Sequence, residues 1–463
     1  MSAPCGRTAT RSRCRVGGRS CGSERPEQPR PAPAGAQKKE SRVKKILASP
    51  SAWAILALCF ADLFVNYAVR LGYGVILPAM IGDLGLGRTG AGTIYNAYLF
   101  IYIGVAPLAG WFTDRIGARR VITGGLLVLG TGVLLLGRAQ SLAAASLAFG
   151  LAGLGAAGLW VPVITLVQRW FAPGRRGLAL GLLSTGYGLG FAASGVLFPP
   201  LLELASWRMA WTLLGAAALL LVLPNGALLR SDPAACGRRP WGESPGAPPV
   251  SPGPGEARLP LAAVLRMPVF WRIGASYALL SFGLYGLTTF LVDFAAGRPG
   301  VSLERAGLLA TVHGLFQVVG VLVLLPASDR LGRRDTMVAS NLAVALVLGR
   351  LAAGSPSWPE LCALTALFAA CYGATFPIYG ACAGDYFPRQ AMGTVAGLWT
   401  PFYGLGAILT HWVTGMLRDA TGSYGLAFGL GAACAAAASL LMLGVPRRGL
   451  PHGPAAEKEG ANR

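Results

Sequence analysis

The chain has 463 residues, 54% hydrophobic and only 13% charged. An ordinary soluble protein carries about 25% charged residues, so this balance excludes a soluble globular enzyme. The net charge is +21, but the basic residues sit between apolar runs rather than along one face. That pattern excludes a nucleic-acid partner and suits a chain oriented in a lipid bilayer.

Residues 1–50 are rich in Arg, Pro, Ser and Gly. They lack the apolar core of a signal peptide and read as a disordered basic tail. The cluster Lys38, Lys39, Arg42, Lys44 and Lys45 should hold the start of the first span in the cytoplasm. Apolar runs then recur, each long enough to cross a hydrocarbon core of about 30 Å as a helix. The predicted spans are 52–80, 91–112, 119–137, 142–167, 177–202 and 208–229, making a first six-helix half over 51–230. A Pro/Gly-rich stretch, 231–265, reads as a cytoplasmic linker. The second half, 266–446, has predicted spans 268–295, 304–326, 336–354, 359–383, 392–416 and 425–445. Residues 447–463 form a polar cytoplasmic tail. The expected fold is an all-α membrane protein with twelve transmembrane helices in two pseudo-symmetric six-helix halves.

Charge supports that topology. With both termini inside, the outer loops hold only Arg88, Arg138, Arg208, Arg298, Arg305, Arg350 and Arg418 of the 40 Lys and Arg. The short segments Asp114–Arg120, Arg169–Arg176 and Asp329–Arg334 each carry three Arg on the inner side, as the positive-inside rule requires.

The sequence also repeats. DRIGARR at Asp114 returns as DRLGRRD at Asp329, 215 positions on. The stretch from Trp170 aligns without a gap on that from Tyr386, at an offset of 216, matching Phe171/Phe387, Gly181/Gly397, Tyr187/Tyr403, Gly188/Gly404 and Gly190/Gly406. Two matches at nearly one offset imply structurally repeated halves with a site between them. Gly177, Gly181, Gly186 and Gly190 should let helices approach closely.

Arg70 stands in the middle of the first span. An intramembrane charge is costly and lines a cavity or finds a partner; the structural alternative is a pair with Asp62, two turns away. A guanidinium binds carboxylate or phosphate bidentately, so the site should prefer an anion. Asn66 shares its face. The repeat adds mates: Tyr285 for Arg70, Gln317 for Tyr102 and Tyr403 for Tyr187. Together with Tyr67 they should ring one central cavity. Asp62, placed with Asp293 at or near an outer span end, and His313 are the candidates for coupling a proton or cation. His411 reads as a helix-contact histidine. No metal-ligand spacing, disulfide pattern or nucleotide-binding loop is expected, and no cofactor.

The segment Gly110-x3-Asp114-Arg115-x-Gly117-x-Arg119-Arg120, with its second copy at Asp329, Arg330 and Arg333, resembles the signature loop of the major facilitator superfamily. It implies a cytoplasmic latch in which Asp114 meets free N–H groups at a helix N-terminus. Asn66-Tyr67-Ala68-Val69-Arg70 resembles the first span of the anion:cation symporter family, whose Arg binds the substrate anion; Tyr102 falls where that family has an aromatic residue. Val69 replaces the family's acidic residue, and the fourth span lacks a carboxylate. Arg175-Arg176-Gly177-Leu178-Ala179 resembles the fifth span of monocarboxylate transporters, the second choice. The expected function is secondary active transport of a small organic anion by a monomer in the plasma membrane, with no enzymatic activity. The alternative is a facilitator or exporter of another solute or drug.

Overall fold

The computed structural model describes residues 51–243, 264–354, 356–387 and 392–447, all within one compact unit, Leu47–Arg463. The basic tail, most of the linker and the residues beyond Arg447 lie outside the described residues.

Among the described residues twelve long helices follow one another: α1 (Ala52–Leu84), α2 (Arg88–Ile116), α3 (Ala118–Leu136), α4 (Leu142–Trp170), α5 (Arg176–Leu204), α6 (Trp207–Leu228), α7 (Pro268–Ala296), α8 (Leu303–Leu331), α9 (Arg333–Ala352), α10 (Trp358–Tyr386), α11 (Met392–Thr421) and α12 (Gly425–Leu443). Eleven are long and apolar enough to cross a membrane. The twelfth, α11, has 30 residues and a more polar face that includes Tyr403, Thr410, His411 and Thr414.

Local chemistry sets the ends. Ser51 caps α1 by accepting from the Ala54 amide at 3.1 Å, and Gly85 closes it in the left-handed region, φ 61°. The two signature loops turn through Gly117 and Gly332, at φ 88° and 90°, which disfavours any side chain. α4 is broken at Gly158–Leu159: Pro162 has no N–H to give the Gly158 carbonyl and crowds it. Several helices run past the expected spans, α8 to Leu331 and α11 to Thr421. Backbone bonding carries a helix beyond the apolar segment that locates it.

We call the face where α1 begins and α12 ends the terminal face, and its opposite the distal face. The halves meet along α2–α11 and α5–α8, pairs exchanged by the repeat, and along α1–α7. These contacts need glycine on the distal side. A Cβ at Gly195 would lie 2.5 Å from the Gly307 carbonyl, and one at Gly92 2.6 Å from that of His411. Toward the terminal face the spacing opens. Gly177, Gly181 and Gly397 have nothing within 4 Å of a Cβ, so the expected close approach holds for Gly186 and Gly190, packed on Phe60 and Phe64, and not for Gly177 or Gly181.

Candidate substrate site

Arg70, the nineteenth of the 33 residues of α1, is 7% exposed. One terminal guanidinium nitrogen donates to the Tyr285 hydroxyl on α7. The two residues are 215 positions apart, so the pseudo-twofold mates touch across the halves. The guanidinium carbon lies 5.0 Å from the Tyr102 ring centre, 5.6 Å from Tyr285 and 5.8 Å from Tyr67. Each such contact is worth about 0.5–2 kcal/mol, most where water is excluded. Among the described residues no carboxylate pairs with Arg70, and its Nε finds no acceptor. A desolvated cation held by ring faces and tyrosine hydroxyls, with no carboxylate beside it among the described residues, retains donors for an anion.

The remaining residues join at different distances. Tyr187 packs on Tyr67 at a tilt, with centroids 5.0 Å apart, and Tyr403 meets Tyr285 at 5.6 Å. Asn66 is buried, its amide oxygen 3.5 Å from the Tyr98 hydroxyl. Gln317 lies where α8 crosses α5 and α10, packed on Gly188 and Gly373; both its amide atoms are buried without a partner. Tyr95, Tyr98 and Tyr372 also line this centre and were missed from the sequence. Tyr95, Tyr98 and Tyr102 lie on one face of α2 at helical spacing, which was the available signal.

The coupling candidates lie apart from Arg70. Asp62 is fully buried and accepts from Asn225 of α6 at 2.7 Å. It does not pair with Arg70, because eight residues along a helix separate the two by about 12 Å. Nor is it at an outer span end: it is the eleventh residue of α1, nearer the terminal face. His313 meets the Thr288 hydroxyl at 3.0 Å and packs among Phe191, Phe368 and Tyr372. His411 bonds Thr289 and, across the halves, Asn96, both at 2.9 Å.

The signature loops face the terminal side. Asp114 is exposed and lies 3.5 Å from Arg169; a charged side chain, rather than a helix N-terminus, is the partner it meets. Arg119 donates to the Gly226 carbonyl and its amide bonds Ser231 at 3.1 Å. Arg115 lies over Trp111, 4.2 Å from the ring centre, and Arg120 lines a surface pocket between α3 and α6. In the second copy Arg333 bridges Asp329 at 2.7 Å and Asp385 at 2.5 Å. Arg330 follows Asp329 in the last turn of α8. The start of the linker is tied down as well: Trp241 exchanges backbone bonds with Trp170 and Ala172 and packs on Trp53 and Phe171.

At the distal face the halves are locked. Arg88 of α2 pairs with Asp293 of α7 at 3.1 Å, and Asp293 accepts from Tyr424 at 2.5 Å. Asp419 of α11 accepts from the Arg88 and Thr89 amides, each at 2.9 Å, and from the Thr89 hydroxyl at 2.7 Å. Among the described residues no ion pair joins the halves at the terminal face. The arrangement is closed distally.

The family model described as Major Facilitator Superfamily matches residues 59–304 and 287–462. The hexuronate transporter of Bacillus subtilis is 24% identical over 429 residues, covering 87% of this chain and 97% of its own. Monocarboxylate transporter 11 of Mus musculus is 30% identical over 441 residues, covering 85% of this chain and 87% of its own. Among solved structures, a bacterial homolog of the human lysosomal transporter Spinster, inward-facing and occupied, superposes with a TM-score of 0.65 at 17% identity, covering 85% and 95% of the two chains. Twelve helices in two repeated halves, a repeated signature loop and this family match give one conclusion: the chain belongs to the Major Facilitator Superfamily and is a multi-pass membrane transporter of small solutes, not an enzyme.

Proposed function

We propose that the chain moves a small organic anion, a carboxylate, by alternating access, with Arg70 as the residue that binds it. The observation that carries this reading is a buried guanidinium at the meeting of the halves with no carboxylate partner among the described residues. Burying an unpaired charge costs several kcal/mol, and an anionic substrate would offset that cost each time it binds. Tyrosine hydroxyls around it can orient the second oxygen of the carboxylate. Relatives whose names specify a hexuronate and monocarboxylates support the same chemistry. The distal lock, with no ion pair joining the halves at the terminal face among the described residues, corresponds to one end state of the cycle. With the Arg bias placing the terminal face in the cytoplasm, this state faces inward. We assign both termini to the cytoplasm and the protein, as a monomer, to the plasma membrane.

Counterflow in proteoliposomes tests the reading, with a panel of carboxylates and neutral solutes. The expected result is exchange of at least one carboxylate, lost in Arg70→Ala. Exchange of neutral drugs with carboxylates ignored would replace this reading with that of an exporter, which a relative named an MFS-type efflux pump also supports.

A further inference from the structure

The Asp62–Asn225 pair plays no part in the anion site. Asp62 and Asn225 are both completely buried, where α1 packs on α6. The Asn225 amide nitrogen uses both hydrogens, one to Asp62 Oδ1 at 2.7 Å and one to the Leu221 carbonyl at 2.8 Å. Two oxygens remain, Asp62 Oδ2 and Asn225 Oδ1, and neither has a partner. Outside this pair lies an open apolar surface groove of about 470 Å³ between the same two helices, lined in part by Ala61, Phe64 and Leu221.

A buried carboxylate without a cation is costly, and none faces this one. On α1 the nearest titratable group is the Cys59 thiol, one turn away. From α6 comes the neutral amide of Asn225. α5 packs on α1 through Gly186 and Gly190, and α4 through Trp160 against Tyr67. α7 meets α1 near Gly74, at the level of Thr288 and Thr289. No Lys, Arg, His or second carboxylate among the described residues bears on Asp62. Two neighbouring acceptors without a donor call for one proton. Placed on Asp62 Oδ2, it neutralises the buried carboxyl. A metal cation fits poorly, since Ca²⁺ takes 6–8 oxygens and Mg²⁺ needs an octahedron.

We propose that Asp62 and Asn225 form a proton-binding site, separate from the anion-binding residue, that takes up one proton in the state seen here and couples its movement to transport. The coupling half of this proposal rests on the anion reading above; proton binding at Asp62 does not. The step is H⁺ plus the Asp62 carboxylate giving the neutral acid, reversed on release to the other side.

Infrared difference spectra of the full-length protein in liposomes, recorded across a pH titration, test the site directly. The expected result is a carbonyl band of a protonated carboxyl that shifts in D₂O and vanishes at high pH. It should be missing in Asp62→Asn, and its midpoint should move by about one pH unit in Asn225→Ala, a tenfold change in proton affinity. Absence of the band from the wild-type protein, or its survival in Asp62→Asn, overturns the site. Uptake tests coupling: an acid gradient on the uptake side should raise wild-type carboxylate accumulation several-fold, and the ratio should fall to one in Asp62→Asn. Carboxylate uptake that ignores the gradient in wild type, with counterflow intact, overturns coupling and leaves the anion reading standing. A band as expected with no carboxylate moved sinks the anion reading and leaves the proton site.

Discussion

α2 and α8 are the same helix of the repeat, yet their distal ends are capped in different ways. α8 is capped from within its own half: Ser302 accepts from the Arg305 amide at 3.1 Å. The mate of Ser302 in α2 is Gly87, which has no side chain to offer. The first amides of α2 are instead met by Asp419, from the other half. A cap within one half stabilises that half in every state. A cap supplied across the halves stabilises only the state in which they touch. The N-terminal half therefore carries the parts whose partners must change: Arg70 where its mate is the neutral Tyr285, and α2, whose cap belongs to the opposite half. The signature loops differ in the same sense. Arg119 and Arg334 bond equivalent carbonyls, Gly226 and Met442. The loop of the second half adds a tight Asp329–Arg333–Asp385 bridge, whereas the first has one exposed pair at 3.5 Å.

Substitutions can break this comparison. The largest effect is expected at the centre. Arg70→Ala removes charge-assisted bonds worth about 3 kcal/mol and should lower carboxylate uptake about 100-fold, while Tyr285→Phe, losing one hydroxyl, should lower it about tenfold. Next comes the distal cap. Asp419→Ala should cost the distally closed state about 2 kcal/mol, and distances between spin labels on the distal ends of α2 and α11 should show the open population rise about thirtyfold. Ser302→Ala should cost about 1 kcal/mol of thermal stability and leave those distances unchanged; an equal shift from both would erase the distinction between the caps. At the terminal face, Arg333→Ala removes two ion pairs and should cost about 1 kcal/mol, against a few tenths for Arg169→Ala at its exposed pair, read by thermal unfolding in detergent. Equal losses would show that the two loops are held alike.

Much of this was legible in the sequence because lipid imposes simple rules. Run length located the helices, and the 215-residue offset named Arg70 and Tyr285 as mates before their contact was seen. The offset could not say that Gln317 would lie at the α5–α8–α10 crossing, apart from its mate Tyr102, since a repeat fixes backbone equivalence and not side-chain direction. It was silent on Asn225, because a lone Asn near the end of an apolar helix shows its purpose only when Asp62 is placed against it. The latch was misjudged in its partner: Asp114 has the position that the loop implies but meets Arg169, whose mate in the repeat is Asp385, so the sign of the charge at one position is reversed between the halves. The contacts that join the halves in the distal lock are more than 200 residues apart, such as Arg88–Asp293, which no local pattern announces.

The central claim is that a buried Arg70 guanidinium binds a carboxylate. Calorimetric titration of the purified protein with a carboxylate and its uncharged amide analogue, repeated on Arg70→Gln, tests it most directly. The account predicts binding of the carboxylate alone, and its loss in Arg70→Gln; equal binding of the amide, or undiminished binding by Arg70→Gln, would contradict it.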